Sequence, residues 1–304
     1  MKKIIYLFAA AITFANAVDA QIVVPSSWYG DFVKIDCKEN MNDQVYEMEY
    51  DLWGDDSGNF TIESTGKNQF SVVGDDHAHK RTKAEYKVIG GQEMLLFKDS
   101  KGNILEHCVR STKEWEKVIE DDVFQTLEGD YVDESGVKYA FKGNRLTMGG
   151  NSYNLSIDHD MFYILTIDGT DYWWSISTTG INLYHIVDGE YGREPGNLYH
   201  RLKNVSPNGR WAFLSTKIVP DFLMWRYNSE LIRIMRNEIY ARKGYVFSSA
   251  DLKAYFSKQP WYKPLNNNAA VQLNDIETLN VEILKGNIVD REGSDDMEIE
   301  EGLK

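Results

Sequence analysis

Cationic and aromatic side chains recur on one face of a predicted helix near the C-terminal end of the chain. Guanidinium groups pair with anions, and aromatic planes stack on cations and sugars, so these residue types suit an anionic or glycan ligand. The candidate ligand-binding residues, together called the basic–aromatic stripe, are Arg233, Arg236, Tyr240, Lys243, Trp261 and Tyr262. The alternative is a solvated face that docks on acidic neighbouring domains.

Glu238 and Arg242 stand four residues apart with the acid first, which is the favourable order for an ion pair on a helix. At about 100° per residue they share a face with apolar side chains, so the pair is partly desolvated. The apolar residues of that face are Leu231, Ile234, Met235 and Ile239. We predict a structural ion pair, and removing one partner should cost roughly 3–5 kcal/mol.

Histidines and carboxylates in one polar run could hold a metal ion, because two histidines spaced two apart on a strand face the same way. The run is Asp75, Asp76, His77, Ala78 and His79. Lysine and arginine follow at once, so a solvated loop is the simpler interpretation, and Asp158-His159-Asp160 is interpreted as a turn. We predict no metal site, no cofactor and no catalytic residue, since no hydrolase, metalloprotease, phosphate-loop or dinucleotide motif occurs.

Three helices are predicted to position these residues. The first begins after Ser229, whose hydroxyl can cap it, and ends at Gly244, which can adopt the left-handed conformation. The third runs from Asn274, with Glu277 at the matching capping position, to Gly286. The second helix starts at Ser248 or Ser249, where Ser248 with Asp251 three residues on resembles a capping box, and stops at Pro260.

This stretch resembles the YARHG domain, a small module of presumed extracellular bacterial proteins. The resemblance rests on Arg236-Asn237-Glu238-Ile239-Tyr240-Ala241-Arg242-Lys243-Gly244-Tyr245, then Phe247, Leu252, Tyr255-Phe256 and Trp261-Tyr262-Lys263-Pro264. It covers about residues 210–290 and implies location more than chemistry, because the family has no established activity. Lys243 stands where the family name has His, so a catalytic or metal-binding role for that His is not carried over to this chain.

Residues 1–20 are typical of a secretory signal, with Lys2 and Lys3 before an apolar stretch too short to span a bilayer. A small-residue cleavage site ends at Ala17 or Ala20. No cysteine lies near the cut, which argues against a lipid anchor. We expect a periplasmic or extracellular protein without a transmembrane segment in the mature chain.

The chain has two cysteines, Cys37 and Cys108. In an oxidising compartment two cysteines most simply form one disulfide, and these lie in the predicted first and last strands of one barrel, which meet when it closes. The alternative is a reactive nucleophile.

The formal net charge of −14 argues against general nucleic-acid binding, which requires clustered positive charge. The charge is unevenly distributed. Residues 210–264 hold ten Lys and Arg against four Asp and Glu, whereas residues 265–304 hold three against ten. A basic helical region between acidic neighbours either docks on them or faces an acidic ligand.

Short alternating strands and recurring turn residues precede the helices, and Gly129-Asp130-Tyr131 echoes Gly30-Asp31-Phe32. Two diverged copies of one small antiparallel barrel or sandwich explain this pattern, and their strand count and Trp28-Tyr29-Gly30 opening resemble lipocalin-like modules. The fold class is therefore α+β multidomain. The predicted units are a signal peptide (1–20), β domain 1 (21–112), a linking helix (113–127), β domain 2 (128–205), a helical YARHG-like domain (206–289) and an acidic disordered tail (290–304).

These features predict an exported binding or scaffold protein of the bacterial cell envelope, with a glycan, a wall fragment or an envelope protein as its ligand. One alternative is a hydrolase of an envelope polymer, with acids from a barrel loop and with Arg236 or Arg242 holding an anionic group. An open cleft with a carboxylate of raised pKa would support it. A second is a lipocalin-like carrier, which requires a hollow barrel. Aromatic residues of the second barrel could line such a cavity, namely Tyr139, Phe141, Tyr153, Phe162, Tyr163, Tyr172, Trp173 and Trp174.

Overall fold

The computed structural model of the 304-residue chain describes its two β regions and its C-terminal helices. The described residues are 27–29, 33–40, 45–52, 57–66, 68–73, 82–110, 113, 115–158, 164–186, 198–220 and 227–292. Several predicted features lie outside these residues: the signal peptide at 1–20, the Asp75–His79 run, His159 and Asp160, and the tail beyond residue 292.

The first eight strands form a closed antiparallel barrel in sequence order, here called barrel 1. Its strands are β1 (Ser27–Tyr29), β2 (Val33–Asn40), β3 (Val45–Leu52), β4 (Ser57–Gly66), β5 (Gln69–Val73), β6 (Lys83–Ile89), β7 (Gln92–Lys98) and β8 (Ile104–Arg110). Pairing of β1 with β8 closes the barrel, with Trp28 opposite Arg110. Closure leaves no unpaired sheet edge.

Helix α1 (Trp115–Leu127) leads into a second closed barrel, barrel 2. Its strands are β9 (Gly129–Val132), β10 (Lys138–Lys142), β11 (Arg145–Met148), β12 (Asn151–Ile157), β13 (Ile164–Ile167), β14 (Thr170–Ile176), β15 (Gly180–His185) and β16 (Leu198–Asn204). Strand β9 pairs with both β10 and β16 and so closes the sheet. The prediction of two antiparallel β units followed by helices is confirmed.

Large side chains fill the interior of barrel 2. The register places them on alternate positions of neighbouring strands, and each is at most 9 % exposed. They are Tyr131, Phe141, Leu146, Leu155, Leu165, Ile167, Trp174, Ile181, Leu183 and Leu202. A small barrel commonly packs its own side chains inside, and this one does so. For barrel 2, this packing argues against the hollow interior that a lipocalin-like carrier requires.

The C-terminal region consists of α2 (Ser229–Arg242), α3 (Ala250–Phe256) and α4 (Asp275–Glu292), with 3-10 turns at Ala212–Ser215 and Asn268–Ala270. The predicted cap of α4 is confirmed. The Asn274 carboxamide oxygen accepts from the Glu277 N–H at 2.8 Å, and the Glu277 carboxylate accepts from the Asn274 N–H at 3.0 Å. Each side chain thus satisfies a backbone donor that the first helical turn leaves free.

Three details of the predicted helices are wrong. The Asn228 side chain caps α2 by accepting from Leu231, so Ser229 is the first helical residue and not the cap. The N-cap residue of α3 is Ser249 and not the Ser248 of the predicted capping box, and no side-chain hydrogen bond caps the helix there. Helix α4 continues through Gly286 to Glu292, so residues 290–292 belong to the helix and not to the acidic tail.

The helices pack against both barrels. Four consecutive residues of β7, from Met94 to Phe97, are buried, so this strand is covered on both faces. Helix α4 lies on the outside of barrel 1 beside β8, where a Cβ atom on Gly286 would stand 1.7 Å from the Ile104 carbonyl oxygen. A glycine inside α4 therefore permits close approach of helix and strand, and does not end the helix.

Side chains also connect the helical region to the barrels. The imidazole of buried His107 in β8 contacts the Val219 carbonyl oxygen through Nε2 at 2.8 Å. In barrel 2, the Tyr255 hydroxyl donates to the Thr178 carbonyl at 2.7 Å, and the Arg210 guanidinium donates to the Ser177 carbonyl. The turn between β14 and β15 is thus held by the helical region.

The topology contradicts the basis of the predicted Cys37–Cys108 disulfide. Cys37 lies in β2 and Cys108 in β8, and β1 is paired between these two strands. Along β1, Ser27 is opposite Asp36, whereas Tyr29 is opposite Val109, so the two cysteines are displaced in opposite directions along the barrel. The described residues contain no disulfide-bonded pair, and Cys108 is buried.

Candidate functional site

Two cations of the basic–aromatic stripe are held by carboxylates of neighbouring helices. Arg233 donates to Asp251 of α3 and, at 3.3 Å, to the Ser249 hydroxyl. The Lys243 ammonium lies 3.0 Å from a carboxylate oxygen of Glu277, whose side chain is fully buried. These contacts fasten α3 and α4 to α2, so both cations have structural roles.

Arg236 is the exception in the stripe. It lies on α2, is half-buried, and pairs with no carboxylate that the structure describes. A single guanidinium is weaker for anion recognition than a cluster, and the ligand-binding role of the stripe stays a prediction.

The aromatic members of the stripe pack against one another and against the helices. Tyr240 contacts Tyr245 with ring centroids 5.6 Å apart, and the Tyr262 hydroxyl donates to the Tyr245 carbonyl at 2.7 Å. Trp261 meets the ring of Phe256 edge-on at 6.1 Å. Trp261 and Tyr262 therefore belong to an aromatic cluster beside α3 and do not extend the cationic surface.

Glu238 and Arg242 are both drawn to the backbone of Trp211. The Glu238 carboxylate accepts from the Trp211 N–H at 2.7 Å, and Arg242 donates to the Trp211 carbonyl at 3.1 Å. Among the described residues, Glu238 and Arg242 form no direct salt bridge with each other, but their charges interact. The predicted ion pair is thus a clamp, here called the Trp211 clamp, that grips one residue through its N–H and its carbonyl.

Burial dominates the electrostatics of the clamp. Burial raises the pKa of Glu238, although Arg242 and the N–H groups of residues 210 and 211 counteract it. Burial likewise lowers the pKa of Arg242. Burial and the nearby Glu238 raise the pKa of Tyr255 to about 12. A buried charge that loses its partners is strongly unfavourable, so each group depends on the others.

A chain of polar contacts extends the clamp to α4. Arg242 donates to the Ser215 hydroxyl at 2.9 Å, and that hydroxyl donates to Glu277. Glu277 also accepts from the backbone of Asn274 and pairs with Lys243. One carboxylate thus caps α4, neutralises the lysine that follows α2 and fixes the 3-10 turn that follows Trp211.

Comparison with family models gives a match to the YARHG domain at residues 210–286. Residues 210–286 are a YARHG domain. Comparisons of the chain with curated proteins and with solved structures gave no match. The domain points to a periplasmic or extracellular protein, and none of the described helices is long and apolar enough to cross a membrane.

The motif residues of the YARHG domain now have physical roles. Arg242 holds the Trp211 carbonyl, Ala241 is 1 % exposed, and Lys243 pairs with Glu277. Gly244 adopts a φ of +79°, and a Cβ there would meet the Leu265 side chain and the Lys263 carbonyl at 2.8 Å. The motif is therefore a packing and capping signature.

A second set of polar and aromatic side chains lies at the other end of barrel 2. The YARHG domain docks on the turn between β14 and β15, whereas Tyr172 and His185 pair at the far ends of these two strands. We call this the distal end. Its rings are those of Tyr139, Tyr172, His185, Tyr199 and His200.

Tyr199 reaches the distal end because of a β-bulge. Tyr184 is opposite Leu198 and Leu183 is opposite His200, so Tyr199 is an extra residue in β16. A bulge redirects a side chain, and the Tyr199 ring lies 4.3 Å from that of His185 and 3.8 Å from that of His200. Tyr199 is nevertheless 48 % exposed, so its ring is available to a ligand.

A carboxylate fixed by hydrogen bonds lies next to these rings. The Asp133 carboxylate accepts from the N–H groups of Ser135 and Val137 at 2.9 Å and from the Tyr139 hydroxyl at 3.0 Å. The same hydroxyl lies 3.3 Å from the His200 ring nitrogens. Asp133, Tyr139 and His200 thus form a series of polar contacts, here called the relay, that connects a backbone turn to the ring cluster.

The protonation states of the relay follow from its contacts. Burial alone raises the pKa of Asp133, but the hydrogen bonds from Val137, Tyr139 and Ser135 bring the net pKa below its usual value. Burial raises the pKa of Tyr139, and its bond to Asp133 adds to the effect. Burial also lowers the pKa of His200, and His185 adds to this. At neutral pH the relay therefore holds an anionic carboxylate, a neutral phenol and a neutral imidazole.

Only part of the distal end was accessible to sequence reasoning. Tyr139 and Tyr172 were singled out as aromatic residues of the second barrel, but Asp133, His185, Tyr199 and His200 were not. The available signal was the strand-end position of Tyr199-His200 and the Asp133-x-Ser135-Gly136 turn. Their convergence depends on barrel closure and on the bulge, which sequence spacing does not reveal.

Proposed function

We propose that the protein is an exported binding or scaffold protein of the bacterial cell envelope, with a glycan, a wall fragment or an envelope protein as its ligand. The YARHG domain supports the compartment. The Trp211 clamp carries the binding interpretation, because it assigns Glu238 and Arg242 to holding backbone groups in the protein interior. The charged residues of the motif then hold the YARHG domain together.

The same clamp weighs against the hydrolase alternative. That alternative needs a carboxylate of raised pKa in an open cleft. Burial does raise the pKa of Glu238, but this side chain is 2 % exposed and its oxygen is bonded to the Trp211 N–H. At the distal end, the pKa of the Asp133 carboxylate is lowered and not raised.

The test is binding of the purified mature protein to insoluble peptidoglycan, to a panel of soluble glycans and to solubilised envelope proteins. We expect retention by at least one of these materials, and Arg236→Ala should bind as well as the wild type. Abolition of binding by this substitution would instead make the stripe the ligand site. Absence of binding to all three materials would refute the proposal, and release of new reducing ends from a glycan would favour the hydrolase.

A further inference from the structure

We propose that the distal end of barrel 2 binds a neutral glycan by stacking a pyranose ring on Tyr199. This inference rests on the proposed function and names its site and ligand class. A pyranose has one face of C–H groups and a rim of hydroxyls. A site for it needs an exposed aromatic plane with fixed hydrogen-bonding groups close by.

The exposed plane is that of Tyr199. Its ring is supported from behind by His200 and His185, which it meets nearly edge-on at 73° and 70°. Tyr172 lies beside both, 5.5 Å from Tyr199 and 5.1 Å from His185. Support from several rings on closed strands restricts the side chain before the ligand arrives, which lowers the entropic cost of binding.

Fixed polar groups lie next to this plane. The relay of Asp133, Tyr139 and His200 presents a carboxylate held by two backbone N–H groups and an imidazole that is neutral at pH 7. A neutral imidazole can donate through one nitrogen and accept through the other, and a carboxylate accepts hydroxyl donors. This combination suits the hydroxyl rim of a sugar.

The charge at the distal end selects among glycans. The Asp133 carboxylate is ionised and only 8 % of its side chain is exposed, so its charge is weakly screened. Nearby Glu134 and Arg201 are 3.7 Å apart and oppose each other. The fixed charge within the relay is therefore that of the Asp133 carboxylate, and it repels a carboxylated sugar where a neutral one is accepted.

The experiment is calorimetric titration of the mature protein with neutral hexasaccharides of glucose and of N-acetylglucosamine, with a hexamer of galacturonate as the anionic counterpart. We expect a neutral hexasaccharide to bind and the galacturonate hexamer to bind at least about tenfold more weakly. Tyr199→Ala should weaken binding about two- to tenfold, the usual scale for loss of one aromatic stack, whereas Tyr199→Phe keeps the ring and most of the affinity. Val205→Ala, at a residue that is 50 % exposed beyond the opposite end of β16, should bind as the wild type does.

The outcomes separate the site from the general function. Equal binding by Tyr199→Ala and the wild type overturns the site but leaves an envelope-binding protein. Retention of the wild type on peptidoglycan or envelope protein, without binding of any neutral hexasaccharide, overturns the ligand class. Because Tyr199 is half exposed, its truncation removes no core side chain, and an unchanged thermal midpoint shows that lost binding is not lost folding.

Discussion

The two ends of barrel 2 both gather charged and aromatic side chains, but they treat them differently. At the end where the YARHG domain docks, Glu238 is 2 % exposed and is hydrogen-bonded to the backbone of Trp211. At the distal end, Tyr199 is 48 % exposed, and the nearby Tyr139 hydroxyl donates to the Asp133 carboxylate. In the first arrangement the polar groups are hydrogen-bonded within the fold, whereas the second leaves a surface that a ligand can contact.

This contrast shows why residue type alone does not identify a binding site. Arg233, Lys243 and Arg242 are the kinds of residue that bind anions, and each has a structural partner in this protein. Substitutions at the YARHG end should therefore change stability, and substitutions at the distal end should change binding.

Glu238→Ala should give the largest loss of stability. It leaves the Trp211 N–H without its acceptor and removes the charge that offsets Arg242, so unfolding should become easier by roughly 3–5 kcal/mol. Glu238→Gln keeps an acceptor for the N–H and should cost less. Urea denaturation at pH 7 measures both, and a change below about 0.5 kcal/mol for Glu238→Ala, the usual size for a surface substitution, would contradict the clamp.

Gly286→Ala should come next, because it tests the contact between the YARHG domain and barrel 1. The added Cβ would stand 1.7 Å from the Ile104 carbonyl oxygen, so α4 must move away from β8 at a cost of roughly 1–3 kcal/mol. Lys285→Ala is the matched control, since the neighbouring Lys285 is exposed on the same helix. Equal thermal midpoints for the two variants would argue against close packing of α4 on barrel 1.

The contribution of the distal end to folding stability should depend on pH. The pKa of His200 in the folded protein lies below its ordinary value of about 6.5, so the unfolded chain binds the proton more readily. The contribution of His200 is fully present above pH 6.5 and is lost as pH falls below it. His200→Gln should therefore reduce the decline in stability between pH 7.5 and pH 5, measured by denaturation at each pH against the wild type. A steeper decline in the variant would show that folding does not lower the pKa of His200.

Arg236→Ala should have the smallest effect on stability. Arg236 pairs with no carboxylate in the described part of the chain, so its loss should change the free energy of unfolding by less than about 0.5 kcal/mol. Arg233→Ala, on the same helix, loses its contacts with Asp251 and Ser249 and serves as the comparison. A larger destabilisation by Arg236→Ala than by Arg233→Ala would contradict the assignment of the structural role to Arg233 and not to Arg236.

Local signals in the sequence were sufficient for much of the fold. The Asn274 and Glu277 capping pair was found because both partners lie within one helical turn. Asn228 was missed in favour of Ser229, since both residue types cap helices and adjacent positions are hard to distinguish. Gly286 was misread as a helix end because its true role depends on Ile104, which is remote in the sequence.

The candidate sites were less predictable, because their geometry comes from long-range contacts. Helical periodicity placed Arg233 and Lys243 on one face, but it did not reveal that Asp251 and Glu277 neutralise them. The distal end required the closure of barrel 2 and the bulge at Tyr199, so residues from four strands meet there. Short-range patterns carry no information about either.

The division between the two ends is tested most directly by the histidine ring signals in a heteronuclear NMR titration with a neutral hexasaccharide. The chain has six histidines. The account predicts that the signals of His185 and His200 shift, while that of His107, buried between barrel 1 and the YARHG domain, stays fixed. Substitutions of each histidine assign the signals. Shifts at His107 with His185 and His200 unchanged would place binding where the YARHG domain contacts barrel 1 and would contradict the account.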